Sequence, residues 1–252
     1  MKRIVLMADG LVGLEVTKKL IADGDKIVRL YLHDEETAKL AEEIKIASKC
    51  KEVFNQSNLK VQGHIDRLKS LNADFIITVY WAHLLEQEVI NCAVDTVNFH
   101  PALLPVNRGW FPHVHSILDG SPLGVTLHRI DQGADTGPIW AQKEVQLSPY
   151  DTAKTIYDRL QIEMVKLFIN NWSDIKTGKI SPTIQNADGA CYHKKSEINE
   201  LDKLDIDSTM PIRQFVNILR ARSFGNLGFA FYEENGVRVY LKISLSDSIN
   251  HS

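Results

Sequence analysis

Residues 75–101, FIITVYWAHLLEQEVINCAVDTVNFHP, decide the fold. Two apolar runs, at 75–80 and 96–100, have the pattern of strands buried on both faces, and a helical pattern separates them. Similar runs at 3–8 (RIVLMA) and 26–33 (KIVRLYLH) are each followed by a helical pattern, the second over 36–47. Strands that alternate with helices indicate βαβ units, so the sequence predicts an α/β fold with a mostly parallel sheet.

The pattern changes after residue 124. Two strands are predicted at 125–130 and 138–147, joined by the loop DQGADTG. A long amphipathic helix follows from residue 148 to 172, with one apolar face that carries Ile156, Leu160, Met164, Leu167 and Phe168. A further helix is predicted at 210–222. Alternating residues on both sides of Asn235-Gly236, over 229–245, predict a β-hairpin.

Composition excludes several classes of protein. A net charge of −3 in 252 residues lacks the basic excess of a generic nucleic-acid binder. The three cysteines, Cys50, Cys92 and Cys191, form no CxxC pair, so we expect reduced thiols and a cytoplasmic protein. No apolar run reaches the roughly 18 residues of a membrane span, and the N-terminal run is too short for a secretory signal. We therefore expect neither a nucleic-acid nor a membrane partner.

Polar side chains lie where the predicted strands end. Asp9, Tyr80 and His100 fall at the carboxyl ends of three strands, the edge at which open α/β sheets bind ligands. Asn98 and His100 are two positions apart, so both face the same side of their strand, and Pro101 stops its pairing. A structural explanation is also available, in which these two side chains only satisfy loop carbonyls.

A second polar group lies in the loop between the later strands. Asp131 and Asp135 alternate there with Gly133 and Gly137, which permit tight turns. The acids of an ordinary hairpin loop would only be solvated. Asn, His and Asp together suit acyl transfer, because Asn can donate to a developing oxyanion while a carboxylate orients the His that moves a proton. No Ser or Cys nucleophile lies in these segments, which favours direct attack by an amine.

Metal and dinucleotide sites are less favoured. His100, His113, His115, His128 and Asp135 are residue types that can ligate a metal. His113 and His115, however, are predicted on a short helix after Pro112, where positions i and i+2 point apart. We therefore expect no metal. The segment ADGLVG has only Gly10 and Gly13, lacks the full G-x-G-x-x-G loop and is weak evidence for NAD.

The sequence resembles the formyltransferases that use N10-formyltetrahydrofolate. The resemblance rests on five segments that occur in this order: NFHPALLP, RG, ILDG, GVTLH and DQGADTGPI. The resemblance implies their Rossmann-like fold, with a catalytic domain over 1–190 and a C-terminal extension over 191–252 that carries a helix and the hairpin. The segments LLPVNRGWFP, GACYHKKSEI and NILRARSF are most similar to the enzymes that act on sugar nucleotides. The resemblance also implies a homodimer, with the hairpin at or near the dimer interface and a function in dimerisation or substrate binding.

The resemblance also assigns roles to residues. His100 takes a proton from the attacking amine, Asn98 hydrogen-bonds the formyl oxygen and Asp135 tunes His100. The folate is expected against one segment and one loop, with contacts at Trp81, Ala82, His83, Leu85, Asp131 and Gly133. Trp81 is also compatible with a position in the core.

The acceptor implied is a nucleotide-linked amino-dideoxy sugar, first of all dTDP-4-amino-4,6-dideoxyglucose for O-antigen synthesis in lipopolysaccharide. Arg108, Arg220 and Arg222 are candidates for its diphosphate, although each is also compatible with a solvated surface charge. Trp110, Phe224 and Tyr232 are candidates for stacking on thymine. Gly10 and Tyr80, at strand ends, complete the expected substrate site. A GDP- or UDP-linked acceptor, a formyltetrahydrofolate hydrolase and a non-catalytic binding protein remain alternatives.

Overall fold

The computed structural model describes residues 1–33 and 38–246. A seven-stranded sheet has the order β3-β2-β1-β4-β5-β7-β8. Its strands are β1 (Arg3–Ala8), β2 (Lys26–Leu32), β3 (Val53–Asn55), β4 (Ala73–Val79), β5 (Ala93–His100), β7 (Gly124–His128) and β8 (Ile139–Glu144). The pairs among β1 to β5 are parallel and the β5–β7 pair is antiparallel. The predicted α/β fold with a mostly parallel sheet is confirmed.

The helices and the short strands complete the chain. The helices are α1 (Gly10–Ala22), α2 (Ala38–Ser48), α3 (Gln62–Lys69), α4 (Gln87–Ile90), α5 (Pro112–Asp119), α6 (Ala153–Thr177), α7 (Glu197–Asp202) and α8 (Ile212–Ala221), with a 3-10 turn at Gln56–Lys60. The short strands are β6 (Arg108–Gly109), β9 (Tyr192–His193), β10 (Ser223–Phe224), β11 (Leu227–Gly228), β12 (Phe231–Glu234) and β13 (Val237–Tyr240). The first two positions of the helix predicted at 36–47 lie outside the described residues.

The chain divides into two compact units. The first comprises Met1–His100, Val125–Lys143 and Gln161–Asn186. The second comprises Pro101–Gly124, Glu144–Leu160 and the chain from Ala187 onwards. Inside the first unit, side chains from β1, β2 and β4 such as Met7, Tyr31 and Ile76 form a fully buried apolar cluster. Burial of each large apolar side chain contributes about 1.5–3 kcal/mol to folding, so the strand runs read from the sequence are also the core.

The long helix α6 confirms the predicted apolar face, because all five of its residues are at most 6% exposed. Its boundaries were predicted wrongly, since α6 begins at Ala153 instead of residue 148. Ser148 and Asp151 close a turn before the helix, in which the Ser148 amide donates to the Asp151 carboxylate over 2.7 Å and the Asp151 amide donates to the Ser148 carbonyl. This turn satisfies backbone groups that a helix start would otherwise use.

The hairpin and the crossover before β5 test two further predictions. Strands β12 and β13 pair antiparallel around Asn235 and Gly236, whose φ angles of 51° and 78° are those that a two-residue hairpin turn requires, so the predicted hairpin is confirmed. The helical pattern predicted between β4 and β5 forms only the single turn α4, and residues 81–86 are irregular. In the described part of the chain, no helix is long and apolar enough to cross a membrane.

Candidate active site

Strands β1, β4 and β5 are neighbours and parallel, so their carboxyl ends share one edge of the sheet. His100 is the last residue of β5, and Pro101 follows where pairing stops. The register pairs Thr78 of β4 with Asn98 of β5, which places Tyr80 just beyond β4 at the level of His100. Strand β7 brings His128 opposite Asn98 from the other side. The sheet therefore concentrates polar side chains at this edge.

The structure brings Asn98, His100 and Asp135 together. The Nδ1 atom of His100 lies 3.4 Å from Oδ2 of Asp135, and Nδ2 of Asn98 lies 3.4 Å from Oδ1 of the same carboxylate. The side chain of His100 is 6% exposed and that of Asp135 is 17% exposed, so the charge of the carboxylate is only partly screened by water.

A hydrogen-bond chain fixes the orientation of the Asn98 amide. Thr78 Oγ1 donates to Asn98 Oδ1 over 2.6 Å, and Asn98 Nδ2 lies 3.0 Å from Nε2 of His128. Nδ1 of His128 is 2.6 Å from the carbonyl oxygen of Arg129, so this nitrogen carries the proton and Nε2 is the acceptor. The amide therefore donates one N–H to His128 and presents the other towards Asp135. Sequence reasoning missed Thr78 as a site residue and considered His128 only as a metal ligand.

The loop that carries Asp135 has little freedom. Asp135 has a left-handed backbone, with φ of 56°, which costs energy for a residue with a Cβ atom. A Cβ atom on Gly137 would lie 2.0 Å from the Arg129 carbonyl oxygen, so this position requires glycine. Gln185 Nε2 donates to the carbonyl oxygens of Asp135 and Gly137 over 2.8 and 2.7 Å. These contacts hold the carboxylate in place, and neither Gly137 nor Gln185 was predicted for this purpose.

Two of the residues predicted for folate binding belong to the same loop. Asp131 Oδ1 accepts hydrogen bonds from the Gly133 amide over 3.1 Å and from Thr136 Oγ1 over 2.6 Å. The Asp131 carboxylate thus stabilises the turn itself. A Cβ atom on Gly133 would lie 2.0 Å from Thr136 Oγ1, so the compact turn also depends on this glycine. Their contact with a folate stays a prediction.

The segment after Tyr80 has backbone groups available for a ligand. Among the described residues, the main-chain amides and carbonyls of Ala82 and Leu85 make no hydrogen bond, and Ala82 and His83 are exposed. The indole nitrogen of Trp81 is buried and has no acceptor within the residues described. Its ring stacks on His33 at 4.5 Å, which forms a flat aromatic surface. Free backbone donors and acceptors beside an aromatic face fit a flat, polar heterocycle such as a pterin.

The other predicted substrate residues of the first unit lie at the same sheet edge. Gly10 begins α1 directly after β1, and the Asp9 amide donates to the Val79 carbonyl over 3.1 Å. Tyr80 has a left-handed backbone, with φ of 52°, where the chain leaves β4. Both residues therefore flank the strand end that precedes Trp81.

Arg108 and Trp110 belong to the second unit. Strand β6 pairs with β9, and the amides of Arg108 and Trp110 donate to the carbonyls of Cys191 and His193, each over 3.0 Å. Nζ of Lys195 lies 4.8 Å from the centre of the Trp110 ring. The pairing fixes the backbone of this loop, and a role of the two side chains in substrate binding stays a prediction.

Arg220, Arg222 and Phe224 also lie in the second unit. Arg220 is 7% exposed, and its guanidinium donates to the carbonyls of Ser148 and Asp151 over 2.7 and 2.8 Å. These bonds hold the turn before α6, which is a structural task that the sequence did not show. Arg222 pairs with Asp202, and Phe224 and Tyr232 are partly exposed. Contact of these four residues with a nucleotide is untested.

Three ligand-type residues meet elsewhere in the second unit. His113 and His115 do turn to different neighbours: His113 lies 5.7 Å from Tyr157, whereas His115 stacks on His193 at 3.4 Å. The potential metal-ligand atoms of His115, His193 and Glu197 lie within 4.8 Å of one another. The imidazoles are nearly parallel, at 8°, so both could reach one ion only by tilting apart. Desolvation, followed by the charge of His193, lowers the pKa of His115 to about 4.

Comparison with known proteins gives matches to two family models. The model described as formyl transferase matches residues 6–171, and that of the N-formyltransferase dimerization C-terminal domain matches residues 197–247. The chain is 35% identical over 153 residues to a dTDP-4-amino-4,6-dideoxyglucose formyltransferase of Mycobacterium tuberculosis (strain ATCC 25618 / H37Rv), a match that covers 60% of this chain and 65% of that protein. A methionyl-tRNA formyltransferase of Agathobacter rectalis is 32% identical over 171 residues, which cover 67% and 54% of the two chains. The chain thus spans less than two thirds of the length of these relatives.

Two solved structures are similar over more of the chain. A 4-N formyltransferase from Francisella tularensis superposes with a TM-score of 0.84 at 25% identity, covering 98% of both chains. A formyltransferase from Anoxybacillus kamchatkensis, in complex with UDP-4,6-dideoxy-4-formamido-L-AltNAc and tetrahydrofolate, superposes with a TM-score of 0.58 at 28% identity, covering 79% of this chain and 88% of that one.

Proposed function

Since the chain belongs to the formyl transferase family, we propose that it transfers the formyl group of N10-formyltetrahydrofolate to the amine of a nucleotide-linked amino-dideoxy sugar. The acceptor proposed first is dTDP-4-amino-4,6-dideoxyglucose. The observation that carries the proposal is the convergence of Asn98, His100 and Asp135 at one sheet edge, in the same unit as the main-chain groups of Ala82 and Leu85 that make no hydrogen bond among the described residues. The names of the relatives support the acceptor class.

The folate supplies the formyl group on its N10 atom, and the residues near Trp81 would hold its ring system. One N–H of Asn98 Nδ2 donates to His128 Nε2, so the other, which faces Asp135 over 3.4 Å, would donate to the formyl oxygen as negative charge develops there. The hydrogen bonds to Thr78 and His128 already orient this donor, so little reorganisation is required during the reaction.

His100 would move the proton of the attacking amine. Its Nδ1 atom faces Asp135, so the transfer to and from the substrate runs through Nε2. The carboxylate would stabilise the imidazolium that forms when the amine loses its proton, and that proton would pass to the leaving N10 nitrogen as its bond to the formyl carbon breaks. The second oxygen of Asp135 lies near Asn98, so one carboxylate keeps both catalytic side chains in register.

The proposal includes a second copy of the chain. The match of residues 197–247 to a dimerization domain supports a homodimer, and sedimentation velocity measures it directly. A cytoplasmic location and a role of the product in O-antigen synthesis stay predictions. Finding the product sugar absent from the lipopolysaccharide of a deletion strain would support the latter.

The decisive experiment is a formyl-transfer assay with mass detection of the product. We expect formylation of dTDP-4-amino-4,6-dideoxyglucose, much slower formylation of the free amino sugar, and none of glycinamide ribonucleotide or methionyl-tRNA. Preference for a GDP- or UDP-linked sugar would show that the base of the acceptor is not thymine. Release of formate at an equal rate without any amine would instead identify a hydrolase.

Two matched variants test the site. Asp135→Asn removes the charge that faces His100 and should lower kcat by about two orders of magnitude, as His100→Asn should by two to four. Asp131→Asn makes the same change four residues earlier, where the new amide oxygen can still accept the bonds of the turn. It should change at most the KM for the folate. Equal losses of kcat in both aspartate variants would contradict the assigned role of Asp135.

A further inference from the structure

The loop that carries Asp135 is backed by the segment that follows helix α6. This segment returns along β8, where Thr183 and Ile139 form an antiparallel bridge with two main-chain hydrogen bonds of 2.7 and 2.8 Å. Beyond the bridge, Ile184 is 83% exposed whereas Gln185 is half-buried, so Gln185 is the side chain that turns inwards. The bridge thus places Gln185 against the loop, and all of these residues belong to the first unit.

One amide group of Gln185 joins two carbonyls of the loop. Its Nε2 atom lies 2.8 Å from the carbonyl oxygen of Asp135 and 2.7 Å from that of Gly137. An amide NH2 group has two hydrogens, so each carbonyl can accept a bond of its own, and both lengths are those of well-formed bonds. The direction of the Asp135 carbonyl is set by the ψ angle of that residue. The first bond therefore restrains the backbone of Asp135 directly.

The backbone of Asp135 requires such a restraint. Its φ of 56° lies in the left-handed region, where a residue with a Cβ atom is strained and remains only if its surroundings hold it there. A rotation out of this region would move the Cβ atom and the carboxylate with it. The carboxylate oxygens lie 3.4 Å from His100 Nδ1 and 3.4 Å from Asn98 Nδ2, so a shift of about 1 Å would break both contacts.

We propose that Gln185 is a positioning residue for formyl transfer, whose amide keeps Asp135 in the left-handed conformation that directs its carboxylate at His100 and Asn98. The proposal rests on the proposed function, since it adds Gln185 to the same site. Its hydrogen bonds go to main-chain atoms, so loss of Gln185 would change the position of the carboxylate and leave its chemistry intact. A glutamine that only stabilised the turn would instead affect the melting temperature and leave kcat unchanged.

Steady-state formyl transfer by variants of the full chain tests the proposal. Gln185→Met keeps the length of the side chain without its donors, and should lower kcat at least about tenfold while each KM stays within about threefold. Gln185→Arg keeps N–H donors and should recover most of the loss. The matched control is Gln142→Met on β8, which removes an exposed glutamine whose Nε2 donates to Thr126 Oγ1 over 3.1 Å. Equal losses of kcat in Gln185→Met and Gln142→Met would overturn the proposal.

A double-mutant cycle tests whether Gln185 acts through the carboxylate of Asp135. In Asp135→Asn the charge that faces His100 is already absent, so the position of residue 135 matters less. Adding Gln185→Met to this variant should therefore lower kcat by less than about threefold, although the same change lowers it at least about tenfold in the wild type. Losses that multiply in the double variant would show that Gln185 acts by another route, and would overturn the proposal.

Amide hydrogen exchange over residues 131–137 gives a measurement that needs no substrate. Exchange there should be faster in Gln185→Met than in the wild type and unchanged in Gln142→Met, with thermal melting as the check on folding. If the wild type transfers formyl groups and the kcat of Gln185→Met stays within about twofold, the inference is wrong and the proposed function stands. If the wild type formylates no acceptor, the proposed function fails, and faster exchange in Gln185→Met would still support Gln185 as the residue that holds the loop. Unchanged exchange would overturn the inference in either case.

Discussion

Replacement of His128 should lower catalysis without removing any group proposed to touch the substrate. Its Nε2 atom accepts from Asn98 over 3.0 Å because Nδ1 carries the proton that is donated to the Arg129 carbonyl. In His128→Leu the Asn98 amide loses this acceptor in a buried site, where an unsatisfied polar group costs about 1–3 kcal/mol. If about 2 kcal/mol of this cost appears in the transition state, kcat falls about thirtyfold.

The conservative variant His128→Gln distinguishes orientation from packing. A glutamine carbonyl can occupy the position of Nε2 and accept the same hydrogen bond, so His128→Gln should recover most of the activity that His128→Leu loses. The assay is steady-state formyl transfer at saturating acceptor, with the KM for folate and the pH profile measured in parallel. The KM for folate and the pH profile should change little, because His128 positions Asn98 and is not proposed to touch the substrate.

Two results would refute this reasoning. A kcat for His128→Leu within about threefold of the wild-type value, in a protein that melts normally, would show that Asn98 needs no such anchor. A loss beyond about a thousandfold, or a shifted pH profile in both variants, would place His128 in direct contact with the reacting groups instead.

Four further predictions concern Gly137, the pH dependence of stability, the effect of metal removal on activity, and Arg220. Gly137→Ala would place a Cβ atom 2.0 Å from the Arg129 carbonyl oxygen, so the loop that carries Asp135 must shift and kcat should fall at least about tenfold; unchanged kinetics would contradict the steric argument. Burial, and then the charge of His115, lowers the pKa of His113 to about 4 from 6.5. The unfolded chain then binds more protons between these values, so His113 by itself accounts for about 2 kcal/mol of stability lost between about pH 7.5 and pH 5, and urea denaturation of His113→Phe should show a pH-dependent loss smaller by about that amount than the wild type shows. Activity should persist in excess chelator. A loss of activity in chelator that added zinc restores would instead support a metal site. Arg220→Met should lower the melting temperature with little change in KM, because it removes the bonds to the Ser148 and Asp151 carbonyls. A KM raised only for nucleotide-linked acceptors would instead show that Arg220 binds the substrate.

The apolar runs of the sequence predicted most of the sheet correctly. Strands buried on both faces consist of continuous apolar residues, and this property is local, so it can be read without the tertiary structure. Helix boundaries were less predictable, as at α6, because the turn of Ser148 and Asp151 competes with the helix for the same backbone groups. A helical pattern was predicted between β4 and β5, and it contains no feature that explains why residues 81–86 are irregular.

The sequence by itself determined the fold class, the strand end at Pro101 and the residue types at the candidate site. Only the tertiary structure decided which side chains orient Asn98, since Thr78 and His128 are 20 and 30 positions away from it. Likewise, only the tertiary structure shows that His193 hydrogen-bonds Asn107, which lies 86 positions earlier in the chain. Periodicity reports which face of an element is buried, whereas the partner on that face depends on strand order and register. Those are set by the packing of the whole unit, where each contact is a consequence of many others.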